Sequence, residues 1–338
     1  MPKRHGLLAA GNFIIDHVKM IDDYPAPEML TNIRSRSSSN GGGPYNVLKD
    51  LAKMEAPFPL EAVALIGKDA DGDWIVADCE EHAIATWGLE RSDEVATSYT
   101  DAMTVAKGGQ RTFFHHRGAN AIFSEDDIDF ARSHAKWFYL GYLLLLDSLD
   151  EIREDGKTGA SIALERACAA GFRTVIDFVS VPDPRVRAIA EASLPYVDVL
   201  FINEIEAGMV LDTDLRHVSG PDLSAMERAA AALLEMGVHE AVIIHFQEGA
   251  LAMTKDGQVT RQGAVQVPEE SIVGSTGAGD AFAAGVFFGL HEDWPLQECL
   301  ELGVCSAAIS LGAGPPSVAM IPARACLEQG RGWGFRNL

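Results

Sequence analysis

Gly274-Ser275-Thr276-Gly277-Ala278-Gly279-Asp280-Ala281-Phe282-Ala283-Ala284-Gly285 sets small residues ahead of an acid and an apolar helical run ending near Leu290. Small side chains let backbone N–H groups approach an anion closely, and the helix that follows adds its positive N-terminal end. An acid directly behind such an anion hole is suited to take a proton from an attacking hydroxyl while the hole stabilises a phosphoryl group in flight. A glycine-rich turn capped by Asp280 would account for the same residues without any chemistry. The segment must therefore be weighed with its surroundings.

Upstream of it, short apolar runs alternate with stretches of helical period. Leu7–Ala10, Ala62–Ile66, Trp137–Leu140, Thr174–Phe178, Val199–Ile202 and Ala241–His245 read as buried strands. Helices are predicted over Pro44–Met54, Asp73–His82, Gly159–Ala170, Val186–Ala192, Leu223–Met236, Asp280–Leu290 and Leu296–Leu311. Such alternation predicts an α/β fold with a central, mostly parallel sheet flanked by helices on both faces. Ligands of such sheets sit outside the carboxyl ends of the strands, so functional residues belong just after them. Two segments break the rhythm. Ile14–Ser39 and Ala96–Arg117 lack a helical face and resemble exposed strands, for example Ser98–Ala106 and Arg111–His115 joined through Lys107-Gly108-Gly109-Gln110. They read either as a small β-structured lid or as a pair of long surface loops.

A second glycine cluster, Asn40-Gly41-Gly42-Gly43-Pro44-Tyr45-Asn46, also feeds a helix. Its glycines permit close approach of a polar ligand, and the Asn46 amide can both donate to and accept from a sugar hydroxyl. With Pro44 in the first helical turn, a flexible loop is the plainer alternative. Together with Gly11-Asn12 and Asp16, Arg111-Thr112-Phe113 leading to Gly118-Ala119-Asn120, and Asn203-Glu204-Ile205-Glu206, the two clusters resemble the ribokinase-like (PfkB) carbohydrate kinase family, in family order and over nearly the whole chain.

The resemblance implies one ribokinase-like kinase domain over 1–338, with lid segments at approximately 12–40 and 96–117. It implies transfer of the γ-phosphoryl group of ATP to a hydroxyl of a sugar or sugar-like molecule, with Asp280 as general base and the amides of Gly277, Ala278 and Gly279 as anion hole. Asp16, Gly42, Gly43 and Asn46 would bind the acceptor. Asn203 and Glu206 would organise Mg²⁺ near the nucleotide, Glu206 through water. Lids of this type often pair between subunits, which implies a homodimer. Departures are also visible. Gly274 stands where the family commonly has an Asp that helps hold K⁺, and Ile244-His245-Phe246 replaces a Thr-x-Gly at the nucleotide side. Tyr45 is bulkier than the usual residue beside the substrate glycines and either stacks on a ring or fills the lid interface. A nucleoside kinase of the same fold and a catalytically silent sugar- or nucleotide-binding regulator are the alternatives.

Composition narrows the partners. The 338 residues are 47% hydrophobic and 22% charged, enough to bury a full core. The formal net charge of −22 disfavours nucleic acid and anionic membrane surfaces, whose affinity rests on Lys and Arg. Cys79, Cys168, Cys299, Cys305 and Cys326 are odd in number, widely spaced and without a CxxC pair. Reduced thiols in a cytoplasmic protein are expected. No signal peptide and no apolar run of membrane-spanning length is evident. Gly156-Lys157-Thr158 ends like a P-loop, but Glu151 stands where its first glycine is required. The stretch after the first strand lacks the GxGxxG of a dinucleotide site. His115 and His116 are adjacent on a predicted strand, so they face opposite ways and do not form a metal site. Arg117 lies near the predicted cleft as a solvated lid residue or as a contact for an anionic substituent.

Overall fold

The computed structural model describes residues 4–107, 110–217 and 220–338. Gly108 and Gly109, in the predicted turn of the Ser98–His115 hairpin, lie outside the described residues.

In chain order the strands are β1 (Leu7–Gly11), β2 (Ile14–Ile21), β3 (Ile33–Gly41), β4 (Leu60–Gly67), β5 (Ala85–Ser92), β6 (Tyr99–Val105), β7 (Arg111–His116), β8 (Trp137–Leu143), β9 (Arg173–Phe178), β10 (Val199–Asn203), β11 (Arg216–His217), β12 (Gly220–Pro221), β13 (Ala241–Phe246), β14 (Gly249–Thr254) and β15 (Val259–Gly263). The helices are α1 (Gly43–Lys53), α2 (Ala70–Glu81), α3 (Asp147–Asp150), α4 (Gly159–Ala169), α5 (Val186–Ser193), α6 (Glu204–Leu211), α7 (Leu223–Glu235), α8 (Ala278–His291), α9 (Leu296–Ser310) and α10 (Ala323–Trp333).

The main sheet has nine strands in the order β15-β14-β13-β10-β9-β8-β1-β4-β5. From β13 to β5 every pairing is parallel, and β14 and β15 close one edge as antiparallel strands. The chain lays β4 and β5 on one side of β1 and β8, β9, β10 and β13 on the other. The strand order therefore reverses at β1, which opens a crevice at the carboxyl ends of β1 and β8.

Alternation along the strands sends their side chains into two cores. Leu7, Ala9, Trp137, Tyr139, Val199 and Phe201 pack with α1, α2, α8, α9 and α10. Leu8, Ala10, Phe138, Leu140, Leu200 and Ile202 pack with α4, α5, α6 and α7 on the opposite face. Burial on both faces is why these strands read as continuous apolar runs instead of an alternating pattern. Helix α8 is buried along almost its whole length, and its Phe287 meets Trp137, Tyr139 and Phe201 at ring distances of 6.3, 5.3 and 5.0 Å. Fully burying one such aromatic ring is worth roughly 1.5–3 kcal/mol.

A second sheet, in the order β3-β2-β6-β7, is built from the two segments that broke the helical rhythm. Its β2–β6 pairing is parallel and its other pairings are antiparallel. The chain passes between the two sheets four times: after β1, from β3 into α1, from β5 to β6, and after β7. Gly11, Gly42 and Gly118 mark three of these passages, with φ of 122°, 89° and 48°.

Strands β5, β14 and β15 and helix α10 carry no signal that the sequence reading used. Strand β5 is a mixed polar and apolar edge strand, and β14 and β15 follow β13 as short antiparallel strands at the other edge. Helix α10 is more polar than apolar and buries only Ala323, Cys326 and Gly330.

Candidate active site

The Gly274–Gly285 stretch folds as a loop that turns into α8, and Gly277 caps the helix in a left-handed conformation with φ 79°. A β-carbon at Gly277 would stand 2.9 Å from Pro316 Cβ, and one at Gly279 would stand 3.2 Å from His245 Cε1. Close packing thus requires glycine at 277 and 279, and between them the Ala278 amide donates to the Ser275 carbonyl at 3.3 Å. Asp280 lies in the first turn of α8 and is only 5% exposed. Its Oδ1 accepts from the Tyr142 hydroxyl at 2.5 Å and its Oδ2 from Asn46 Nδ2 at 2.7 Å. Burial pushes the carboxyl up to about 6, while the hydrogen bonds from Asn46 and Tyr142 pull it down.

Asn46 comes from the first turn of α1, and its orientation is set by Asn40, whose Nδ2 donates to Asn46 Oδ1 at 2.7 Å and to Ser317 Oγ at 3.1 Å. The glycines before it are forced by close approach. A β-carbon at Gly41 would lie 2.6 Å from the Asp16 carboxylate, one at Gly42 2.2 Å from the Asn12 carbonyl oxygen, and one at Gly43 2.7 Å from the Tyr142 ring. Asp16, on β2, is pushed up to about 7 by burial and then by the charge of Asp280, with the Thr100 hydroxyl opposing. Thr100 Oγ1 also lies 3.0 Å from His115 Nδ1 on β7. Asp16, Gly42, Gly43, Asn46 and Asp280 therefore meet at the crevice beside β1 and β8.

On the other side of Asp280, Asn203 ends β10 and caps α6, accepting from the amides of Ile205 and Glu206. Glu206 closes the box. Its Oε2 accepts from the Asn203 amide at 3.0 Å and its Oε1 from the Ser180 hydroxyl at 2.8 Å. Burial pushes Glu206 up to about 7 against these hydrogen bonds. Asp177, at the end of β9, is also raised, by burial first and then by Glu206 and Asp280. Asp177, Glu206 and Asp280 thus share one negative field.

A cleft of about 650 Å³ opens next to this group, lined among others by Asn203, His245, Phe246, Ser275, Gly279 and Arg336. His245 is held neutral by burial, down to about 4, and packs on Phe282 at 5.3 Å. The Ile244-His245-Phe246 departure therefore builds an apolar wall against the start of α8. From the second sheet, Arg111 reaches across to donate to the Thr276 hydroxyl, and its Nη2 would lie 3.4 Å from a β-carbon at Gly274.

Tyr45 is fully buried, stacked on Phe13 at 5.1 Å, with its hydroxyl donating to Asp78 at 2.5 Å. It offers no ring face to a ligand. Arg117 donates to the Leu144 carbonyl at 3.1 Å and pairs with Asp147 at 3.3 Å. His115 turns to Thr100 while His116 packs on Tyr99 at 5.0 Å. Tyr142, Asp177, Ser180 and Asn40 were not singled out individually from sequence. An acid inside a buried strand was the available signal for Asp177, and position just past an apolar strand was the signal for Tyr142.

The pfkB family carbohydrate kinase model matches residues 5–321. Adenosine kinase 2 of Arabidopsis thaliana is 25% identical over 277 residues, covering 78% of this chain and 75% of that protein. The ATP-dependent ribose-1-phosphate kinase of Halopiger xanaduensis is 26% identical over 308 residues, covering 90% of this chain and 92% of that protein. The solved ribokinase of Thermotoga maritima superposes with a TM-score of 0.77 at 24% identity, over 97% of this chain and 99% of that one. A ribokinase-like fold, matched along nearly its whole length by a carbohydrate kinase family, defines a phosphotransferase acting on an alcohol group. The chain belongs to the pfkB family of carbohydrate kinases.

Proposed function

We propose that Asp280 is the general base of an ATP-dependent transfer to a hydroxyl of a sugar or sugar-like acceptor. The carrying observation is the buried Asp280 carboxylate in the first turn of α8, directly behind the glycine turn at 277–279, with Asn46 and Tyr142 each donating to one of its oxygens. The acceptor displaces one of these partners and presents its hydroxyl to Asp280. Asp280 takes the hydroxyl proton as the oxygen bonds to the γ-phosphorus, and the bond to the bridging oxygen breaks with its electron pair leaving on ADP. The amides of Gly277, Ala278 and Gly279 and the Arg111 guanidinium face the charge that develops. Asp16, Gly42, Gly43 and Asn46 hold the acceptor's other hydroxyls.

Mg²⁺ fits the residues present. Glu206 and Asp177 are carboxylates raised first by burial, the charge of Glu206 raising Asp177 further, and the Ser180 hydroxyl donates to Glu206 Oε1 beside them. Among the described residues no group of three or more acidic, His or Cys side chains is placed to hold a metal alone. Mg²⁺ commonly uses one or two carboxylates together with phosphates and retained water. When bound it would neutralise charge on the nucleotide phosphates, with Glu206 acting through water. Gly274 offers no carboxylate to a monovalent cation and Arg111 lies against it, which favours activity independent of K⁺.

The second sheet acts as a lid over the acceptor, inserted at approximately 12–40 and 96–117 in a single domain. Its closure excludes water from the phosphoryl group. Two copies pair through these sheets, whose β7 leaves Phe113 and Phe114 exposed; sedimentation velocity decides this, a monomer mass at working concentration removing it. A nucleoside acceptor is the second reading. Phe113 supports it, because it alternates with His115 on the face that carries Asp16 and Thr100, and so offers a ring for a base.

The test is ADP release from Mg·ATP across sugars, sugar acids, sugar phosphates and nucleosides, with K⁺ or Na⁺, for wild type and Asp280→Asn. One acceptor class should stimulate release, and the variant should lose about 10²–10⁴-fold. A loss well below tenfold would remove Asp280 from the base role.

A further inference from the structure

Asp50 sits one helical turn beyond Asn46 on α1, fully buried, and neither of its carboxylate oxygens makes a direct hydrogen bond. A buried carboxyl without a direct partner is costly and calls for a physical reason. The Ser317 hydroxyl faces it closely enough to favour its ionised form against burial. Ser317 Oγ already accepts from Asn40 Nδ2 at 3.1 Å, so its own proton is left for Asp50. Asn40 Nδ2 donates in addition to Asn46 Oδ1 at 2.7 Å. With its oxygen so engaged, Asn46 must turn its Nδ2 toward Asp280 Oδ2, at 2.7 Å.

Ser317, Asn40, Asn46 and Asp280 form one buried hydrogen-bonded chain, and Asp50 lies beside its Ser317 end. Each exposes 5% or less of its surface. Lys53, one turn further along α1, donates to the carbonyls of Ser317 and Val318 at 2.6 and 3.0 Å and holds the same loop from below. Pro316 of that loop is the residue that presses on Gly277 at the start of α8. The helix carrying Asn46 and the loop bracing the anion hole are thereby tied at one point.

We propose that Asp50 is a positioning residue for the phosphoryl transfer: through Ser317 and Asn40 it fixes the Asn46 amide in the orientation that donates to Asp280. The inference rests on the assignment of Asp280 as base only for its kinetic consequence. The groups facing Asp50 are Lys49 and Lys53 of its own helix, Asp280 of α8 and the Cys326 thiol of α10. Those facing Asp280 are Asn46 of α1, Tyr142 and Tyr139 of β8, Asp16 of β2 and Asp177 of β9. Burial holds Asp50 up at about 8, so near pH 6 it is protonated. Replacing it there changes the orientation of the chain and not its charge.

The experiment compares wild type, Asp50→Leu, Asp50→Asn and Ser317→Ala by kcat, acceptor KM, the acid limb of kcat/KM and thermal stability. The ¹³C carboxyl titration of Asp280, assigned by its loss in Asp280→Asn, is followed alongside. Asp50→Leu should lower kcat about ten- to a hundredfold, the worth of one oriented hydrogen bond to a charged group. It should also raise the titration of Asp280 by on the order of one unit, since a hydrogen bond to the ionised form is loosened. Asp50→Asn, which keeps an acceptor oxygen toward the Ser317 hydroxyl, should stay within about threefold of wild type. Ser317→Ala should follow Asp50→Leu in direction. If Asp50→Leu folds and loses only thermal stability, with kcat and the Asp280 titration unmoved, the positioning role is overturned. If Asp50→Leu does not fold, an unmoved titration in Ser317→Ala overturns it equally. A titration that moves while Asp280→Asn stays active would uphold the polar chain and sink the base assignment instead.

Discussion

Asp280 receives hydrogen bonds on both carboxylate oxygens and is still held up near 6, because removal from water outweighs the two donors. A base must be deprotonated to act, so kcat/KM should rise with pH through about 6 and level off above it. Tyr142→Phe deletes one donor to the ionised form, so the rise should move to higher pH. A pH–rate profile of both proteins checks this, and an acid limb that stays in place would show that Tyr142 does not bear on the base. The glycines and Asp280 were legible from the sequence because close backbone approach leaves a local signature of small residues. Tyr142 was not, since it lies 138 positions from Asp280 and reads as the end of an apolar strand. Asp50 was equally hidden. In sequence it is one acid on an amphipathic helix, and only the packing of α1 against α8 shows that it is buried.

At the scale of elements, α1 is aimed by the turn at Gly42, whose φ of 89° no β-substituted residue adopts cheaply. Gly42→Ala would also drive a β-carbon to 2.2 Å from the Asn12 carbonyl oxygen. The helix must shift to relieve this, carrying Asn46 with it. The expected cost is about 1–3 kcal/mol of stability, with acceptor KM raised by roughly tenfold or more and the KM for ATP little changed. Denaturant titration and initial rates measure both, and an unchanged acceptor KM would separate the turn from acceptor binding. The parallel strands and most flanking helices were legible because each carries one period over a sufficient length. The second sheet was legible only as a break in that period. Its register, which places Asp16, Thr100 and His115 on one face, depends on pairing between segments far apart in sequence.

For the molecule as a whole, the cluster of raised carboxyls makes stability depend on pH. Asp50, Asp16, Glu206 and Asp280 hold their protons to about 8, 7, 7 and 6 in the folded state. The unfolded chain releases the same protons near 4. Their stabilising contribution is complete below about pH 4 and is lost as pH rises through the folded values. The Asp22, Asp69 and Asp183 carboxyls shift downward, and their opposite effect falls below the ordinary carboxylate range. The free energy of unfolding should therefore fall between about pH 6.5 and pH 8, at up to about 1.4 kcal/mol per group per unit, whereas at lower pH His115 and His245, whose values burial lowers to about 4, oppose the fall. Asp50→Asn should flatten that fall. Urea unfolding at three pH values measures it, and equal slopes in the two proteins would mean that Asp50 is ionised throughout.

The main sheet, α8 and the acids at its strand ends make one continuous body, whereas the second sheet joins it through four short passages. The segment between Ile21 and Ile33, at the far end of that sheet, contributes none of the side chains that meet Asp280, so residues added there fall outside that site. In descent, such a layout lets lineages exchange one acceptor for another by insertion and deletion at the periphery while inheriting the phosphoryl chemistry unaltered.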